Sequence, residues 1–286
     1  MGGIIWLASY PKSGNTWVRA FLHNLLKNPS APVPLNELNQ FSLGDASYAW
    51  YARYTTTTPD QITQAELAQI RPKVHRDLAA SSRDSVFVKT HQILGENAGA
   101  PLITMEYTAA AVYVVRNPLD VVLSFADHFG CSIDDAIDDM GLEGAITGAK
   151  DRNVPEFIDS WSTNVRSWTG QPHPKIHVMR YEDMLNTPNK TFGKLTKFLG
   201  LKVSEDRLKR AIRFSDFRTL RQLEDKHGFA EKSHHGTRFF RSGKSGQWRD
   251  HLTDDQVARL VRDHATQMAR FGYLTPKLRN LADLTE

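Results

Sequence analysis

Short apolar runs alternate along the chain with longer segments whose apolar residues recur at helical spacing. The short runs are rich in β-branched and aromatic residues and predict strands at Ile4–Ala8, Ser85–Lys89, Ala111–Arg116 and Ile176–Arg180. Strands separated by long helical segments are typical of βαβ crossovers, in which helices cover both faces of a parallel sheet. The pattern therefore predicts an α/β fold with a central parallel β-sheet flanked by helices.

The longer segments place apolar residues on one face of a helix. In the first of them Trp17, Phe21 and Leu25 share a face before Pro29 stops the pattern, and the second begins at Pro118, a residue favoured in the first turn. The same reasoning predicts helices at 16–27, 118–130, 154–169, 188–199, 204–213 and 253–270.

Two segments lack a regular pattern. The stretch 29–60 contains several prolines and predicts irregular chain over the edge of the sheet; its aromatic residues, which line a pocket or fill a core, are Tyr48, Trp50, Tyr51 and Tyr54. The stretch 227–247 is rich in Gly, Ser, His and basic residues, a composition suited to a loop that orders when a ligand binds. No segment resembles a linker, so residues 1–286 are predicted to form a single domain.

Composition narrows the functional classes. The chain has 40% hydrophobic and 24% charged residues, which is typical of a folded globular protein. No apolar run approaches the about 18 residues of a membrane helix, and no export signal is recognisable, so we expect no membrane span and a cytoplasmic location. The single cysteine, Cys131, allows no intrachain disulfide, and no Cys/His spacing resembles a zinc site. The net charge of +4 permits a polyanionic partner, but the basic residues are spread without a run, and a small anionic ligand explains the charge equally well; we expect a small-molecule partner and no nucleic acid.

The segment Ser9–Trp17 links the first predicted strand to the first predicted helix. Backbone N–H groups at the helix start and the Lys12 ammonium converge there, and Gly14 lets a ligand approach the backbone closely. The nucleoside triphosphate loop GxxxxGK[ST] has its lysine after the second glycine, whereas Lys12 precedes Gly14. The segment predicts a phosphate-binding turn of another kind; the alternative is a plain turn with Thr16 as a cap.

Two further strand ends carry residues with catalytic or anion-binding chemistry. His91 follows the second strand next to Lys89, and a neutral imidazole there can take a proton from a substrate hydroxyl. Arg116 ends the third strand, and a guanidinium that meets the Ser124 hydroxyl binds a phosphate well. The alternatives are a loop histidine without chemistry and a surface pair of Arg116 with Asp120.

A fourth motif, Phe240–Arg249, has glycines between basic residues, which suits either a backbone wrapped around an anion or a simple turn. Five motifs, taken together, resemble the cytosolic-type sulfotransferase family. In chain order they are Tyr10–Trp17, Lys89–His91, Arg116–Ser124, Arg180–Met184 and Arg241–Trp248. The resemblance extends from the first strand to about Thr253, nearly the whole chain.

The resemblance implies transfer of a sulfuryl group from 3′-phosphoadenosine 5′-phosphosulfate (PAPS) to a hydroxyl, or an amine, of a small-molecule acceptor, with release of 3′-phosphoadenosine 5′-phosphate (PAP). It implies a strand–loop–helix unit, similar to a P-loop, that binds the 5′-phosphosulfate through Lys12, Ser13, Gly14, Asn15, Thr16 and Trp17. The residues implied at the 3′-phosphate are Arg116, Ser124, Arg241, Ser242 and Gly243. Those implied around the adenine are Trp17, Tyr181, Ser215 and Phe217.

The catalytic residues implied by the resemblance are His91, Lys12 and Lys89. His91 removes the acceptor proton, Lys12 stabilises charge on the departing oxygen, and Lys89 steadies the sulfuryl oxygens, without a metal.

The chain departs from the family pattern at Asn15, where a threonine is common, and at Ser242, where a lysine is common. The second change removes a cation from the implied 3′-phosphate site. The residues after Trp248 lack the dimerisation pattern of many animal members, so monomer and homodimer both stay open.

Two other functions compete with sulfuryl transfer. A P-loop kinase also uses a strand–loop–helix anion site, but it has its lysine and a magnesium-binding Ser/Thr side by side after the glycines. A non-catalytic protein that keeps the nucleotide site, or binds nucleic acid, does not need Lys12, Lys89 and His91 together.

Overall fold

A computed structural model describes residues 2–149 and 152–284 of the chain. The chain divides into two compact units, each assembled from three separate segments. The first unit comprises Met1–Tyr10, Asn39–Val114 and Leu142–Val178, and the second comprises Pro11–Leu38, Val115–Gly141 and Met179–Glu286. The single domain expected over residues 1–286 stays a prediction.

A five-stranded sheet organises the fold. The strands are β1 (Ile4–Ser9), β2 (Ser42–Gly44), β3 (Val86–Thr90), β4 (Glu96–Asn97), β5 (Ala100–Pro101), β6 (Thr108–Val115) and β7 (Ile176–Arg180). The sheet has the order β2-β3-β1-β6-β7, and β4 and β5 form a separate antiparallel pair. Strand β1 lies parallel to both β3 and β6, and β2 lies parallel to β3. The predicted α/β fold with a central parallel sheet is confirmed.

The register of the sheet aligns the carboxyl ends of the central strands. Ala8 pairs with Thr90, and Ser9 pairs with Val114. In open parallel sheets, ligands bind beyond these strand ends. The segments that begin with Tyr10, His91 and Arg116 therefore each start at a position favoured for function.

The helices are more numerous than the pattern predicted. Their bounds are α1 (Asn15–Lys27), α2 (Leu38–Phe41), α3 (Tyr48–Tyr51), α4 (Gln64–Ala80), α5 (Pro118–Phe129), α6 (Ile133–Gly141), α7 (Trp161–Thr169), α8 (Tyr181–Asn186), α9 (Pro188–Phe198), α10 (Glu205–Phe214), α11 (Phe217–His227), α12 (Trp248–His251), α13 (Asp254–Arg270) and α14 (Pro276–Leu281). Short 3₁₀ turns occupy Leu35–Glu37 and Met105–Tyr107.

Each unit has its own core. In the first, the buried indole of Trp6 donates to the Thr108 hydroxyl at 2.9 Å, and the buried Tyr113 hydroxyl donates to Asn164 at 2.8 Å. In the second, a cluster of buried residues that includes Leu220 and Phe240 packs against the half-buried rings of Trp17 and Phe217. Burial of such side chains contributes about 1.5–3 kcal/mol each.

The predicted helix at 154–169 is wrong in its first half. Residues before Ser160 are extended or turned because they bond to another segment: Ile158 donates its N–H to the Ala145 carbonyl, and Phe157 forms a bridge with Ile146. The helix α7 begins only where the Ser160 hydroxyl caps it by accepting the Thr163 N–H. The other predicted helices and the predicted strands agree with the structure to within a few residues.

The stretch 29–60 is less irregular than expected, since β2 adds an edge strand to the sheet there. No helix among the described residues is long and apolar enough to cross a membrane.

Candidate functional site

The turn between β1 and α1 has the backbone of an anion-binding loop. Lys12 has a φ of 64° and Gly14 a φ of 110°, both in the left-handed region. A non-glycine residue there costs about 1–2 kcal/mol, and such strain concentrates at functional sites. A Cβ at Gly14 would lie 2.8 Å from the Tyr181 ring, so only glycine fits. Helix α1 starts directly at this turn, with the Trp17 N–H bonded to the Gly14 carbonyl, and its positive end favours an anion.

The Lys12 ammonium contacts His128 of α5 and Phe239. Its Nζ lies 3.3 Å from Nδ1 of His128 and 4.3 Å from the centre of the Phe239 ring. Because a lysine ammonium only donates hydrogen bonds, Nδ1 of His128 accepts here and the imidazole is neutral. Sequence reasoning missed His128, although it stands four residues after Ser124 on the same helix face.

Arg116 joins the residues predicted to bind the 3′-phosphate. Its Nη1 donates to the Lys12 carbonyl at 3.0 Å and lies 3.5 Å from the Ser124 hydroxyl, the limit of a hydrogen bond. Its guanidinium also stacks 4.3 Å from the centre of the Tyr181 ring. Burial raises the pKa of the Tyr181 hydroxyl, and the Arg116 charge opposes that shift.

The alternative pairing of Arg116 with Asp120 on the surface is wrong. Asp120 is buried and accepts the backbone N–H groups of Gly246 at 2.7 Å and Trp248 at 3.3 Å. This carboxylate therefore holds the end of the late loop, which comprises residues 227–247. Sequence reasoning missed that role, because the partners lie more than a hundred residues away in the chain.

Two polar atoms at this turn suit an anionic ligand. The buried Ser13 Oγ and Arg116 Nε have no hydrogen-bond partner among the described residues. Buried polar groups are normally bonded, so such atoms indicate a binding function. Together with the glycine backbone at Gly14, they fit a phosphate or phosphosulfate group.

The aromatic residues expected at the adenine lie around the late loop. Trp17 meets Tyr181 edge-on, with 5.5 Å between ring centres. Gly243 has a φ of 65°, and a Cβ there would lie 2.1 Å from Cγ of Phe217, so its backbone rests directly on that ring. The structure thus brings Phe217 and Gly243 together, as it brings Arg116 and Ser124 together.

The remaining predicted donor residues occupy distinct positions. Asn15 and Thr16 are buried in the first turn of α1, and Arg241 and Ser242 are half-buried on the late loop. Ser215 directly follows α10, and its hydroxyl donates back to the Ala211 carbonyl of that helix at 2.8 Å. Its proton is thereby used, and only its lone pairs remain for a ligand.

Beyond His227, the last residue of α11, the late loop (residues 227–247) contains no helix or strand in the described structure but is attached at several points. Glu224 accepts the N–H groups of Phe239 at 2.6 Å and Phe240 at 2.9 Å. The Ser233 hydroxyl donates to the His128 carbonyl at 2.5 Å. The ring of His235 lies so close to Gly130 that a Cβ there would be 2.5 Å from it. Sequence reasoning predicted the loop but not the Glu224 carboxylate that holds it.

Cys131, half-buried, directly follows this contact at Gly130. Burial raises the pKa of its thiol, and the charges of Asp139 and Asp135 raise it further.

In the first unit, His91 is held by hydrogen bonds at its ring and its backbone. Its ring Nδ1 lies 2.7 Å from the Ser9 carbonyl oxygen. Its backbone N–H donates to the Glu156 carboxylate at 2.9 Å, and its backbone carbonyl accepts from the Asn164 amide at 2.9 Å. A carbonyl oxygen only accepts, so in the neutral imidazole the proton sits on Nδ1 and Nε2 is the basic nitrogen. This tautomer suits a general base.

A buried carboxylate, Asp45, fixes the residues on both sides of His91. It accepts from the Thr90 hydroxyl at 3.1 Å, the Gln92 amide at 2.6 Å and His75 at 2.9 Å. Burial by itself would raise the pKa of Asp45, but the hydrogen bond and charge of His75, with the Arg71 charge and the Gln92 hydrogen bond, hold it below its usual range. Asp45 therefore stays ionised and anchors the end of β3.

Glu156 is the second carboxyl beside His91. Burial raises its pKa to about 7, although the Lys89 charge and the His91 N–H oppose the shift. Sequence reasoning missed Glu156 because it lies in the segment wrongly predicted as helix.

The four aromatic residues of the stretch 29–60 do not share one environment. Tyr51 is fully buried, Tyr48 donates to the Thr57 carbonyl at 2.9 Å, Tyr54 donates to Asp77 at 2.7 Å, and Trp50 stacks on Arg53. That they line an acceptor pocket stays a hypothesis.

Among residues 2–149 and 152–284, no group of three or more His, Cys, Asp or Glu side chains is arranged to hold a metal ion. The expectation that no metal is required stays a prediction.

Comparison with known proteins agrees with the sequence resemblance. The family model described as "Sulfotransferase domain" matches residues 4–272. Sulfotransferase 1A1 of the dog, Canis lupus familiaris, is 25% identical over 276 residues, which cover 93% of this chain and 83% of that relative.

Two solved structures share the fold. A retinol dehydratase in complex with androsterone and inactive cofactor PAP has a TM-score of 0.64 at 18% identity, covering 96% of this chain and 83% of that chain. A mouse sulfotransferase complexed with PAP has a TM-score of 0.59 at 19% identity, covering 99% and 90%.

Proposed function

Because the chain belongs to the sulfotransferase domain family, we propose that it transfers the sulfuryl group of PAPS to the hydroxyl of a small-molecule acceptor. Sulfotransferase activity itself follows from this membership; the hydroxyl acceptor and the roles of individual residues are the proposal. The observation that carries it is the 2.7 Å contact between Nδ1 of His91 and the Ser9 carbonyl, which places the proton of the neutral imidazole on Nδ1 and makes Nε2 the basic nitrogen.

The donor-binding roles follow the segments that the second unit brings together. Lys12, Ser13, Gly14, Asn15 and Thr16 bind the 5′-phosphosulfate, and Arg116 and Ser124 bind the 3′-phosphate with the late-loop residues Arg241, Ser242 and Gly243. Trp17, Tyr181, Ser215 and Phe217 surround the adenine. The PAP complexes of the retinol dehydratase and the mouse sulfotransferase support this use of the fold.

In the proposed chemical step, one base removes a proton and two ammonium groups stabilise negative charge. Nε2 of His91 takes the acceptor proton while the acceptor oxygen forms a bond to sulfur and the bond from sulfur to the bridging oxygen breaks. The Lys12 ammonium stabilises the negative charge on the departing oxygen, and Lys89 stabilises the sulfuryl oxygens. The leaving group is a phosphate held by cations, so we propose that the reaction needs no metal. We also propose a cytoplasmic location, which suits the single free cysteine.

A panel assay tests this function. Labelled PAPS is incubated with phenols, aliphatic alcohols and amines, and in parallel labelled ATP is incubated with Mg²⁺ and the same acceptors. We expect sulfated hydroxyl products, and we expect His91→Ala to lower turnover by about 10²–10⁴-fold while PAP still binds in calorimetry.

Three results would contradict the proposal. Transfer of phosphate from ATP would favour the kinase, and PAP binding without turnover of any acceptor would favour a non-catalytic nucleotide-binding protein. Near-normal turnover by His91→Ala would remove His91 as the base.

A further inference from the structure

We propose that Glu156 is a positioning residue of the sulfuryl-transfer site, which holds His91 and Lys89 through the charge of its carboxylate. The inference rests on the proposed function, because it concerns the residue assigned there as the base. It adds a residue that neither the motifs nor the family resemblance identified.

The main chain fixes the carboxyl of Glu156 beside His91. The Glu156 N–H donates to the Thr147 hydroxyl at 2.9 Å, and the Glu156 carbonyl accepts the Thr147 N–H at 2.9 Å. The next residue, Phe157, accepts the Ile93 N–H at 3.2 Å. Glu156 is thus held on both sides of the peptide, and its Oε1 accepts the His91 N–H at 2.9 Å.

The surroundings of Glu156 are unusually rich in charge. The titratable groups that interact electrostatically with it are Lys89 on β3, Asp45 after β2, Arg71 on α4 and Tyr51 on α3, and His91 contributes its backbone N–H. Lys89 and Arg71 favour the ionised carboxylate, whereas burial, the strongest influence, and Asp45 favour the neutral acid. Because the resulting pKa is about 7, the carboxyl changes charge near neutral pH.

The two charge states of Glu156 have different consequences for the base. The carboxylate forms a charge-assisted hydrogen bond with the backbone N–H of His91 and attracts the Lys89 ammonium. Its negative charge also stabilises a protonated His91 imidazole. The neutral acid keeps a weaker hydrogen bond and loses both electrostatic effects. His91 is therefore a stronger base when Glu156 is ionised.

A mere structural role would depend on the hydrogen bond and not on the charge. Glu156→Gln separates the hydrogen bond from the charge, because the amide oxygen can still accept a hydrogen bond from the backbone N–H of His91 but carries no charge. Asn164→Ala is the control without a change of charge: it removes the hydrogen bond to the His91 carbonyl, together with those to the Ile158 carbonyl and the Tyr113 hydroxyl.

The decisive measurement is the pH titration of the His91 imidazole by NMR, which needs no acceptor. In the wild type we expect the resonance to show a second inflection near pH 7 from Glu156. In Glu156→Gln we expect that inflection to vanish and the imidazole to titrate at a lower pH. Asn164→Ala should keep the second inflection. An unchanged curve in Glu156→Gln would overturn the proposal.

A kinetic measurement complements the titration. With 4-nitrophenol as the acceptor probe, we expect kcat of Glu156→Gln at pH 8 to fall roughly ten- to a hundred-fold, with the affinity for PAP unchanged in calorimetry. If the NMR curves differ as expected but no acceptor of the panel is sulfated, the proposed function fails and the coupling of Glu156 to His91 stands. If turnover occurs and the curves coincide, the proposed function stands and the role of Glu156 fails.

Discussion

The side chains of His91 and Arg116 each donate a hydrogen bond to a main-chain carbonyl oxygen. The Ser9 carbonyl orients the imidazole, and the Lys12 carbonyl binds the guanidinium at 3.0 Å. The side chains of Ser9 and Lys12 can therefore change without removing these hydrogen bonds. The chemical role of the Lys12 ammonium can then be tested separately from the structural role of the Lys12 carbonyl, which binds Arg116.

Lys12→Met tests this separation. We expect turnover of a sulfated acceptor to fall about 10²–10³-fold, the loss typical of one group that stabilises a leaving or developing anion. Ser9→Ala is the control, because the Ser9 Oγ lies 3.4 Å from His91 while the carbonyl remains at 2.7 Å. Initial rates with labelled PAPS measure both variants. Equal rates for Lys12→Met and Ser9→Ala would contradict the role of the ammonium.

Gly243→Ala probes the contact of the late loop with Phe217. The new Cβ would overlap the Phe217 ring, and the left-handed backbone adds about 1–2 kcal/mol of strain. We expect affinity for PAP, measured by calorimetry, to fall more than tenfold. Gly272→Ala is the control: its φ of 70° carries the same strain, but nothing lies within 4 Å of its Cβ. It should lose stability and keep PAP affinity, and equal losses of affinity would contradict the contact.

At this scale, sequence reasoning found residues whose position in a strand–turn–helix unit is diagnostic. Lys12, Arg116 and His91 each follow a strand closely, and Ser124 follows Arg116 by two helical turns. Glu156, Asp120 and Glu224 carry no such local signal. Their roles arise from hydrogen bonds to backbone N–H groups of distant segments, which only the folded chain brings near.

Among the elements, strongly amphipathic helices and β-branched strands were predictable because their spacing alone defines a buried face. Strand β2 was not, since its three residues depend on pairing with β3. Helix α4 contains Pro72, which conceals the pattern. The error at 154–160 has a similar cause: tertiary hydrogen bonds keep that segment extended despite its helical spacing.

The start of α11 connects helix stability to donor binding. The Asp216 carboxylate caps this helix by accepting the Thr219 N–H at 2.7 Å, and Phe217 is its first residue. Loss of the cap in Asp216→Ala costs about 1 kcal/mol. Because fraying displaces the Phe217 ring, we expect the dissociation constant of PAP to rise about fivefold, the equivalent of that free energy.

Ser204→Ala is the matched control for the cap. Ser204 caps α10 by accepting the Arg207 N–H at 3.3 Å, away from Phe217. Its loss should lower the free energy of unfolding by a similar amount and leave PAP affinity at the wild-type value. Calorimetry and urea unfolding compare the two variants. A fivefold weaker affinity in Ser204→Ala would show that general destabilisation, not Phe217, is responsible.

For the molecule as a whole, the buried side chains of His264 and Glu156 make opposite contributions to the pH dependence of the free energy of unfolding. Burial lowers the pKa of His264 from its ordinary 6.5 to about 4, so the unfolded chain binds a proton that the folded chain does not. This favours folding at high pH, and the advantage is lost as the pH falls from 6.5 towards 4. Burial raises the pKa of Glu156 from 4.5 to about 7, so its contribution is present at low pH and lost as the pH rises through 7.

We therefore expect the two contributions to cancel between about pH 4.5 and 6.5. Each shift of about 2.5 units corresponds to about 3 kcal/mol. In His264→Gln the free energy of unfolding should increase as the pH falls, and in Glu156→Gln it should decrease. Urea unfolding at pH 4.5 and 6.5 measures both slopes, with the exposed His251→Gln as the control. Parallel profiles for all the variants would contradict the cancellation.

The position of Cys131 makes this protein convenient for optical spectroscopy. The only thiol of the chain follows Gly130, against which the late loop places His235. An environment-sensitive dye attached there would report on that loop without any engineered cysteine or removal of competing thiols. Because the pKa of the thiol is raised, labelling with a maleimide should be slow at neutral pH and faster in mildly alkaline buffer. Stopped-flow fluorescence of the labelled protein mixed with PAP would then test whether the loop orders when the nucleotide binds.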